Sequence, residues 1–254
     1  MLPLVRRERI IDLVKSRGSL TIEELCRSLG VSSSSVRRDL ARLESMKELR
    51  RTHGGAVAVK EEIRPPLSFD EKKELNIAAK KRIAHKAASL IRDGETICLD
   101  GGTTTQLIAE EAARMPSLTV VTNSISILDY LCRFPHIKLI AIGGMVKHDI
   151  QGIVGHLTND ILEKIRINKL FLGADGVFPG KGIFTSSEME AFTKVKMMGC
   201  SQEVILVADS LKIGQTALVK FSSLQDMDMV ITDRGCQKKF LREFHKMKIK
   251  LEVV

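Results

Sequence analysis

The strongest constraint on the fold is an alternation. From about residue 71 onward, seven short apolar, β-rich runs (ETICLD, LTVVTN, IKLIAIGG, KLFLGADG, EVILVAD, MVITD and IKLEVV) are separated by helical segments and, once, by a more irregular stretch. Runs this short and apolar must be covered on both faces, so the pattern predicts an α/β domain with a mostly parallel sheet between two layers of helix. One helix is expected ahead of the first strand, over about Glu71 to Ile91. No repeat period is visible.

In such a sheet ligands bind beyond the carboxyl ends of the strands, and several of those ends carry chemistry. LDGGTTTQLIAEE runs from a strand through Asp100, Gly101 and Gly102 into Thr103, Thr104 and Thr105 at the start of a helix. Glycine lets a ligand approach the backbone, threonine hydroxyls donate, and a helix start offers unpaired N–H groups at its positive end, which suits phosphate. Neither a Walker loop nor a G-x-G-x-x-G fingerprint is present, and an ordinary capped turn is the better reading of this stretch alone. The other strand ends add Asn123 in VTNS, Asp175 in GADG, and Asp209 followed by Lys212 in VADSLKIG. Glu190 and Lys194 in SSEMEAFTK are four apart and share a helix face, where the bland reading is a surface ion pair. Together these residues form a polar collar suited to a phosphorylated polyol.

The first sixty residues read differently. Ile10, Ile11, Leu13 and Val14 have helical spacing that stops at Gly18. Thr21 with Glu24 is a capping-box pattern opening a helix of about eight residues that Gly30 closes. Ser32 then caps a third helix whose Val36, Leu40 and Leu43 form its buried side, leaving Ser33, Ser34, Arg37 and Arg38 exposed near its start. A short helix, a tight turn and a helix presenting Ser and Arg is the helix-turn-helix arrangement for the DNA major groove, against which stands the reading of a solvated basic face. ELRRTHGGAVAV adds a hairpin turning at Gly54-Gly55 with cations at Arg50, Arg51 and His53, which fits a wing on duplex phosphate.

Charge follows the same division. The formal net charge is +9; residues 1–60 hold thirteen Lys/Arg against seven Asp/Glu, and residues 61–254 hold 27 against 24. The five cysteines are scattered without C-x-x-C spacing and read as reduced core residues. With no Trp and one Tyr the chain lacks stacking platforms for single-stranded nucleic acid. Charges throughout the first fifteen residues argue against a signal peptide, no run approaches a membrane span, and a cytoplasmic location is expected. The six histidines are scattered, and His148 and His156 read as surface or loop, so neither metal nor cofactor is expected.

VSSSSVRRDLARLE together with RRTHGGA resembles the N-terminal signature of the DeoR family of bacterial transcriptional regulators, V-S-x-x-T-[IV]-R-R-D-L followed by R-x-H-G-G-A. Ser35 departs from the usual threonine, and Lys47 from the glycine that ends the recognition helix. The segments DGGTTT, VTNS, GADG, E-x-x-x-K and ADS-x-K-x-G are similar, in order, to the effector domain of that family, which shares its fold with ribose-5-phosphate isomerases. The resemblance implies DNA contact by Ser32, Ser33, Ser34, Ser35, Arg37, Arg38 and Arg42 and by Arg50, Arg51 and His53 of the wing. It also implies a phosphate cradle at Gly102 to Thr105, with Asn123, Asp175, Glu190, Lys194 and Lys212 around a sugar.

The expected organisation is a winged helix-turn-helix over 1–58, a linker over 59–70 containing Pro65-Pro66, and an effector domain over 71–254. The leading reading is a repressor of a carbohydrate operon whose affinity for double-stranded operator DNA a phosphorylated sugar controls. An isomerase-like enzyme with a DNA-binding appendage stays open, because Asp175 or Glu190 could move a proton. A plain DNA-binding structural protein leaves the strand ends unexplained. One small recognition helix discriminates weakly, so a homodimer or homotetramer reading two half-sites is expected.

Overall fold

Pro3 opens helix α1 (Pro3–Arg17), where its missing N–H removes a donor that would lack a helical partner, and Ile10 and Val14, one turn apart, are buried. Before α2 (Ile22–Leu29), Thr21 Oγ1 accepts from Glu24 N at 3.2 Å and Glu24 Oε2 accepts from Thr21 N at 2.8 Å. Gly30 ends α2 in the left-handed region at φ 64°. Ser32 Oγ accepts from Ser35 N at 3.4 Å at the start of α3 (Ser33–Ser45), which buries Val36, Leu40 and Leu43. Strands β1 (Ser19–Thr21), β2 (Leu49–Thr52) and β3 (Gly55–Ala58) form an antiparallel sheet in the order β1-β3-β2.

This hairpin differs from expectation in two ways. Thr52 pairs with Gly55, so the turn is His53-Gly54 and Gly55 begins the returning strand. Strand β1, too short to read from the sequence, pairs along β3, and a Cβ on Gly55 would stand 2.1 Å from the Leu20 carbonyl oxygen. Gly55 is therefore required by close strand approach rather than by the turn.

The computed structural model describes residues 2–45, 48–58 and 67–254, and forms two compact units, Met1–Glu62 and Ile63–Val254. Lys47 and the Pro65-Pro66 linker lie outside the described residues. In the larger unit the chain runs α4 (Phe69–Glu74), α5 (Ile77–Ala88), β4 (Thr96–Leu99), α6 (Thr103–Ala112), β5 (Leu118–Thr122), α7 (Ile125–Leu131) and β6 (Ile137–Ala141). The hairpin β7 (Met145–Lys147) and β8 (Gly152–Val154), then α8 (His156–Leu162), β9 (Ile167–Leu172), and the hairpin β10 (Gly176–Phe178) and β11 (Gly182–Thr185) follow. It ends with α9 (Glu188–Gly199), β12 (Ser201–Val207), β13 (Val219–Ser222), β14 (Met229–Thr232), α10 (Lys238–Lys246) and β15 (Leu251–Val253).

All seven expected runs enter one parallel sheet in the order β15-β14-β12-β9-β4-β5-β6. Alternation along each strand splits the core into two layers. Ile97, Leu99, Phe171, Ile205 and Ile231 pack with α5, α6 and α7. Cys98, Leu170, Leu172, Leu206 and Val230 pack with α8, α9 and α10. The irregular stretch supplies β13, which joins β10 and β11 in a small antiparallel sheet.

Two expectations are corrected. The single helix over about Glu71 to Ile91 is two, because Leu75 is extended and Asn76 is left-handed at φ 53°; Ser68 caps the first of them, inside the stretch read as linker. Cys132 is exposed at the end of α7, its Sγ donating to Asp129 O at 3.2 Å, so it is not a core residue; Cys98, Cys200 and Cys236 are buried.

Candidate functional site

On the smaller unit, Ser32, Ser33, Ser34, Arg37, Arg38 and Arg42 are exposed and Ser35 is half-buried, while Arg50, Arg51 and His53 are exposed on the hairpin. Ser32 Oγ lies 3.0 Å from Ser34 Oγ and 3.1 Å from Ser35 Oγ, a hydroxyl cluster at the start of α3. Behind this face, Asp39 is buried and accepts from Arg6 Nε at 2.5 Å, which fixes α3 against α1. Glu44 Oε1 accepts from Arg51 N at 3.0 Å and fixes α3 against the hairpin. Among the described residues Arg37, Arg38, Arg42 and Arg50 have no carboxylate partner. The face is thus tied to α1 and to the hairpin, small at one end, and carries four arginines without a carboxylate partner among the described residues.

The larger unit places its chemistry at the point where strand order reverses, between β4 and β9. There, helices lead away to opposite sides and leave a crevice beyond the strand ends. Asp100, just past β4, accepts from Gly173 N at 3.0 Å, just past β9, and from Lys194 Nζ, which also donates to Gly173 O at 3.2 Å. Both side chains of this ion pair are buried. Burial opposes the Lys194 ammonium, but Asp100, Glu190 and Asp175 together outweigh it and hold its pKa above the ordinary lysine value.

Glu190, one turn before Lys194 on the same helix face, has other partners: its Oε2 accepts from Thr185 Oγ1 at 2.7 Å and its Oε1 from Lys147 Nζ at 2.8 Å. The bland reading of a surface ion pair does not hold: both side chains are buried and bonded to different partners, because the helix face they share points inward. Asn123, at the end of β5, donates from Nδ2 to Ile153 O at 2.9 Å, which fixes the amide orientation. Among the described residues, its Oδ1 and Thr193 Oγ1 are buried without hydrogen-bond partners. Both residues line a cleft with Asp100, Gly101, Ile150, Glu190 and Lys194. Each unmet polar atom costs about 1–3 kcal/mol, which a buried water or a polar ligand group reaching it would recover.

Beside this cleft Asp175 accepts from Lys72 Nζ at 2.8 Å, Ser186 N at 3.0 Å and Thr185 Oγ1 at 3.4 Å. Burial pushes the Asp175 carboxyl up, but Lys72, Lys212 and Lys194 outweigh it and hold it well below the usual carboxylate range. Asp209 is buried and accepts from Asn76 Nδ2 at 3.2 Å and Leu211 N at 2.9 Å. Lys80 is buried and donates to Lys72 O. Lys212 is half-buried, has no ion-pair partner among the described residues, and is pushed by burial below the ordinary lysine value, Asp175 pulling the other way. An anion beside Lys212 would relieve that cost.

At the start of α6, Gln106 N is bonded to Gly102 O at 3.0 Å, and the three N–H groups before it point out of the first turn. Thr105 is buried and its hydroxyl donates to Gly102 O at 2.9 Å, which corrects the expectation that all three threonine hydroxyls serve a ligand; Thr103 is buried and Thr104 half-buried. The sequence reading missed Lys72, Asn76, Lys80, Lys147, Thr185, Thr193 and Asp39. The first three sit in a stretch with no motif, and only the paired strands and the break at Asn76 bring them to the strand ends. His148 and His156 are exposed, and among the described residues no group of three or more His, Cys, Asp or Glu could hold a metal ion. Among them, too, no helix is long and apolar enough to cross a membrane.

Comparison with known proteins agrees with both regions. Residues 6–62 match the DeoR-like helix-turn-helix domain and residues 75–234 the DeoR C terminal sensor domain. An uncharacterized HTH-type transcriptional regulator, YulB of Bacillus subtilis, is 34% identical over 100% of this chain and 98% of its own. Lactose phosphotransferase system repressors of Streptococcus mutans and Staphylococcus epidermidis are 36% and 37% identical over 91% of this chain and 92% of theirs. A ribose 5-phosphate isomerase A from Methanocaldococcus jannaschii superposes with a TM-score of 0.41 at 17% identity, covering 54% of this chain and 55% of that one, too slight a likeness to carry an argument. With its helix-turn-helix and sensor domains both matched, and a relative similar along its whole length, the chain belongs to the DeoR family of DNA-binding transcriptional regulators.

Proposed function

We propose that this regulator represses genes for carbohydrate use, and that a phosphorylated sugar bound at the reversal of strand order changes its affinity for operator DNA. The observation that carries this reading is the buried, partly unsatisfied polar cleft lined by Asp100, Asn123, Glu190, Thr193 and Lys194. Asp100, Asn123, Thr193 and Glu190 offer hydrogen bonds to a polyol. Lys212 and the N–H groups opening α6 offer a seat for phosphate without a metal. The repressors of lactose phosphotransferase systems among its relatives support a sugar phosphate as the class.

In this reading the ligand is sensed and not turned over. Glu190 and Asp175 are each held by lysine and hydroxyl or amide donors, which suits binding, whereas a general base needs a free carboxylate beside the substrate carbon. Self-association belongs to the same proposal. Met145, Val146, Leu157, Met189, Phe192 and Val195 are exposed on β7, α8 and α9, and Phe192 and Leu157 are each 67% exposed. A second copy covering them would pack against the outer side of the helix whose inner side carries Glu190 and Lys194, so that ligand and partner bias one element. Thermal denaturation with a panel of sugar phosphates and their neutral sugars tests the site, because a ligand of the folded state raises the melting temperature. Equal shifts with neutral sugars, or turnover at an enzyme-like rate, would contradict the reading.

A further inference from the structure

The charge of the larger unit has one source. Residues 234–250 hold seven Lys/Arg against one acid, Glu243, whereas residues 61–233 hold twenty against twenty-two. These seventeen residues thus match the net charge of the whole N-terminal sixty, a concentration hidden when the larger unit is counted as one piece. Helix α10 buries Phe240 and Phe244 against the sheet and turns Lys238, Arg242 and Lys246 outward, all exposed. At four-residue spacing they form one stripe about 12 Å long. Lys248 and Lys250 continue the exposed basic surface past the helix.

Folding alone gives little reason for this arrangement. Lys238 and Lys239 occupy the first turn of α10, where the helix dipole disfavours cations, and Gln237 supplies no side-chain cap. Among the described residues Lys238, Arg242, Lys248 and Lys250 have no carboxylate partner, while Lys246 pairs with Glu243 at 2.7 Å. A polyanion would relieve both the repulsion among these cations and the unfavourable helix end.

We infer that α10 and the turn after it form a second, sequence-independent contact surface for the phosphate backbone of duplex DNA. The partner follows from charge complementarity: a duplex carries one negative charge per about 1.7 Å, so a stripe of about 12 Å faces roughly seven. The inference rests on this chain working on DNA, and adds that the sensor unit itself touches it. Such contacts contribute affinity and salt dependence but no choice of sequence.

The test uses the full chain and a random-sequence duplex of about 60 base pairs, with binding measured across a range of salt concentrations. Replacing Lys238, Arg242 and Lys246 with Gln is expected to lower the slope of log K against log salt by roughly 2–3 and to weaken binding on the order of a hundredfold at about 0.1 M salt. A control with Lys81, Arg82 and Lys164 replaced by Gln removes the same charge from exposed positions elsewhere on the unit, and should leave the slope near wild type. An unchanged slope in the first variant, or an equal drop in the control, overturns the inference. Arg37→Ala with Arg38→Ala separates the two surfaces: it should abolish preference for operator while the α10 contribution to the slope remains. If that variant keeps full operator preference, the recognition-helix reading fails and the α10 surface is judged by its own slope. Loss of binding to phosphatidylserine vesicles without loss of DNA slope in the α10 variant would assign the surface to lipid and overturn the inference.

Discussion

The exposed face of α3 with its hairpin and the cleft at the strand ends use similar residues in opposite ways. On α3 and the wing, Arg37, Arg38, Arg42 and Arg50 are exposed and have no carboxylate partner among the described residues. In the cleft, Asp100, Glu190 and Lys194 are buried and each is bonded to another part of the fold. An exposed cation adds little to stability and is free to act on a partner. A buried ion pair holds the structure in place, and removing one member leaves an uncompensated charge. Changes to the first group should therefore alter binding alone, and changes to the second should alter stability first.

The largest effect expected is at Lys194. Lys194→Met leaves the Asp100 carboxylate buried without its partner and should cost about 3–5 kcal/mol in urea denaturation. Lys212→Met, at a half-buried lysine without an ion pair, should cost less than about 1 kcal/mol by the same measurement. Equal costs would break the contrast between a buried, paired lysine and a half-buried one without an ion pair. Next, Arg38→Ala should weaken operator binding by about 1–3 kcal/mol while the urea midpoint stays put, and Arg50→Ala should weaken operator and random duplex alike. A destabilised Arg38→Ala would mean that the recognition face is structural. Thr21→Ala removes the cap of α2 and should cost about 1 kcal/mol without touching sequence preference.

A further effect is one of pH. The folded-state pKa of Asp175 lies below its unfolded value of about 3.9, so its contribution to stability is present above about pH 4 and is lost as the pH falls further. Asp175→Asn should flatten the acid limb of the stability profile; an unchanged limb would show that Lys72 does not hold this carboxylate.

Local chemistry was readable in the sequence and spatial order was not. Thr21, Glu24 and Gly30 fix a helix with interactions three or four residues apart, and the seven runs announce a buried parallel sheet. That β4 and β9 are neighbours, which joins Asp100 to Gly173 and Lys194, follows from strand order, and strand order has no local signature. Lys72 reaches Asp175 across 103 residues of chain and Asn76 reaches Asp209 across 133, so neither motif nor periodicity marks them. Gly55 read as a turn residue because two adjacent glycines suggest one, whereas its actual constraint is the passage of β1 alongside β3.

The most direct test of the central claim is operator affinity measured with and without the sugar phosphate that most raises the melting temperature, in wild type and in Lys212→Met. Coupling between a sensor site and a DNA-binding face is typically about 1–3 kcal/mol, or some 5–150-fold in affinity. The account predicts a change of that size in wild type and its loss in Lys212→Met, with affinity for operator in the absence of ligand unchanged. A Lys212→Met protein that responds to the ligand as wild type does would contradict it.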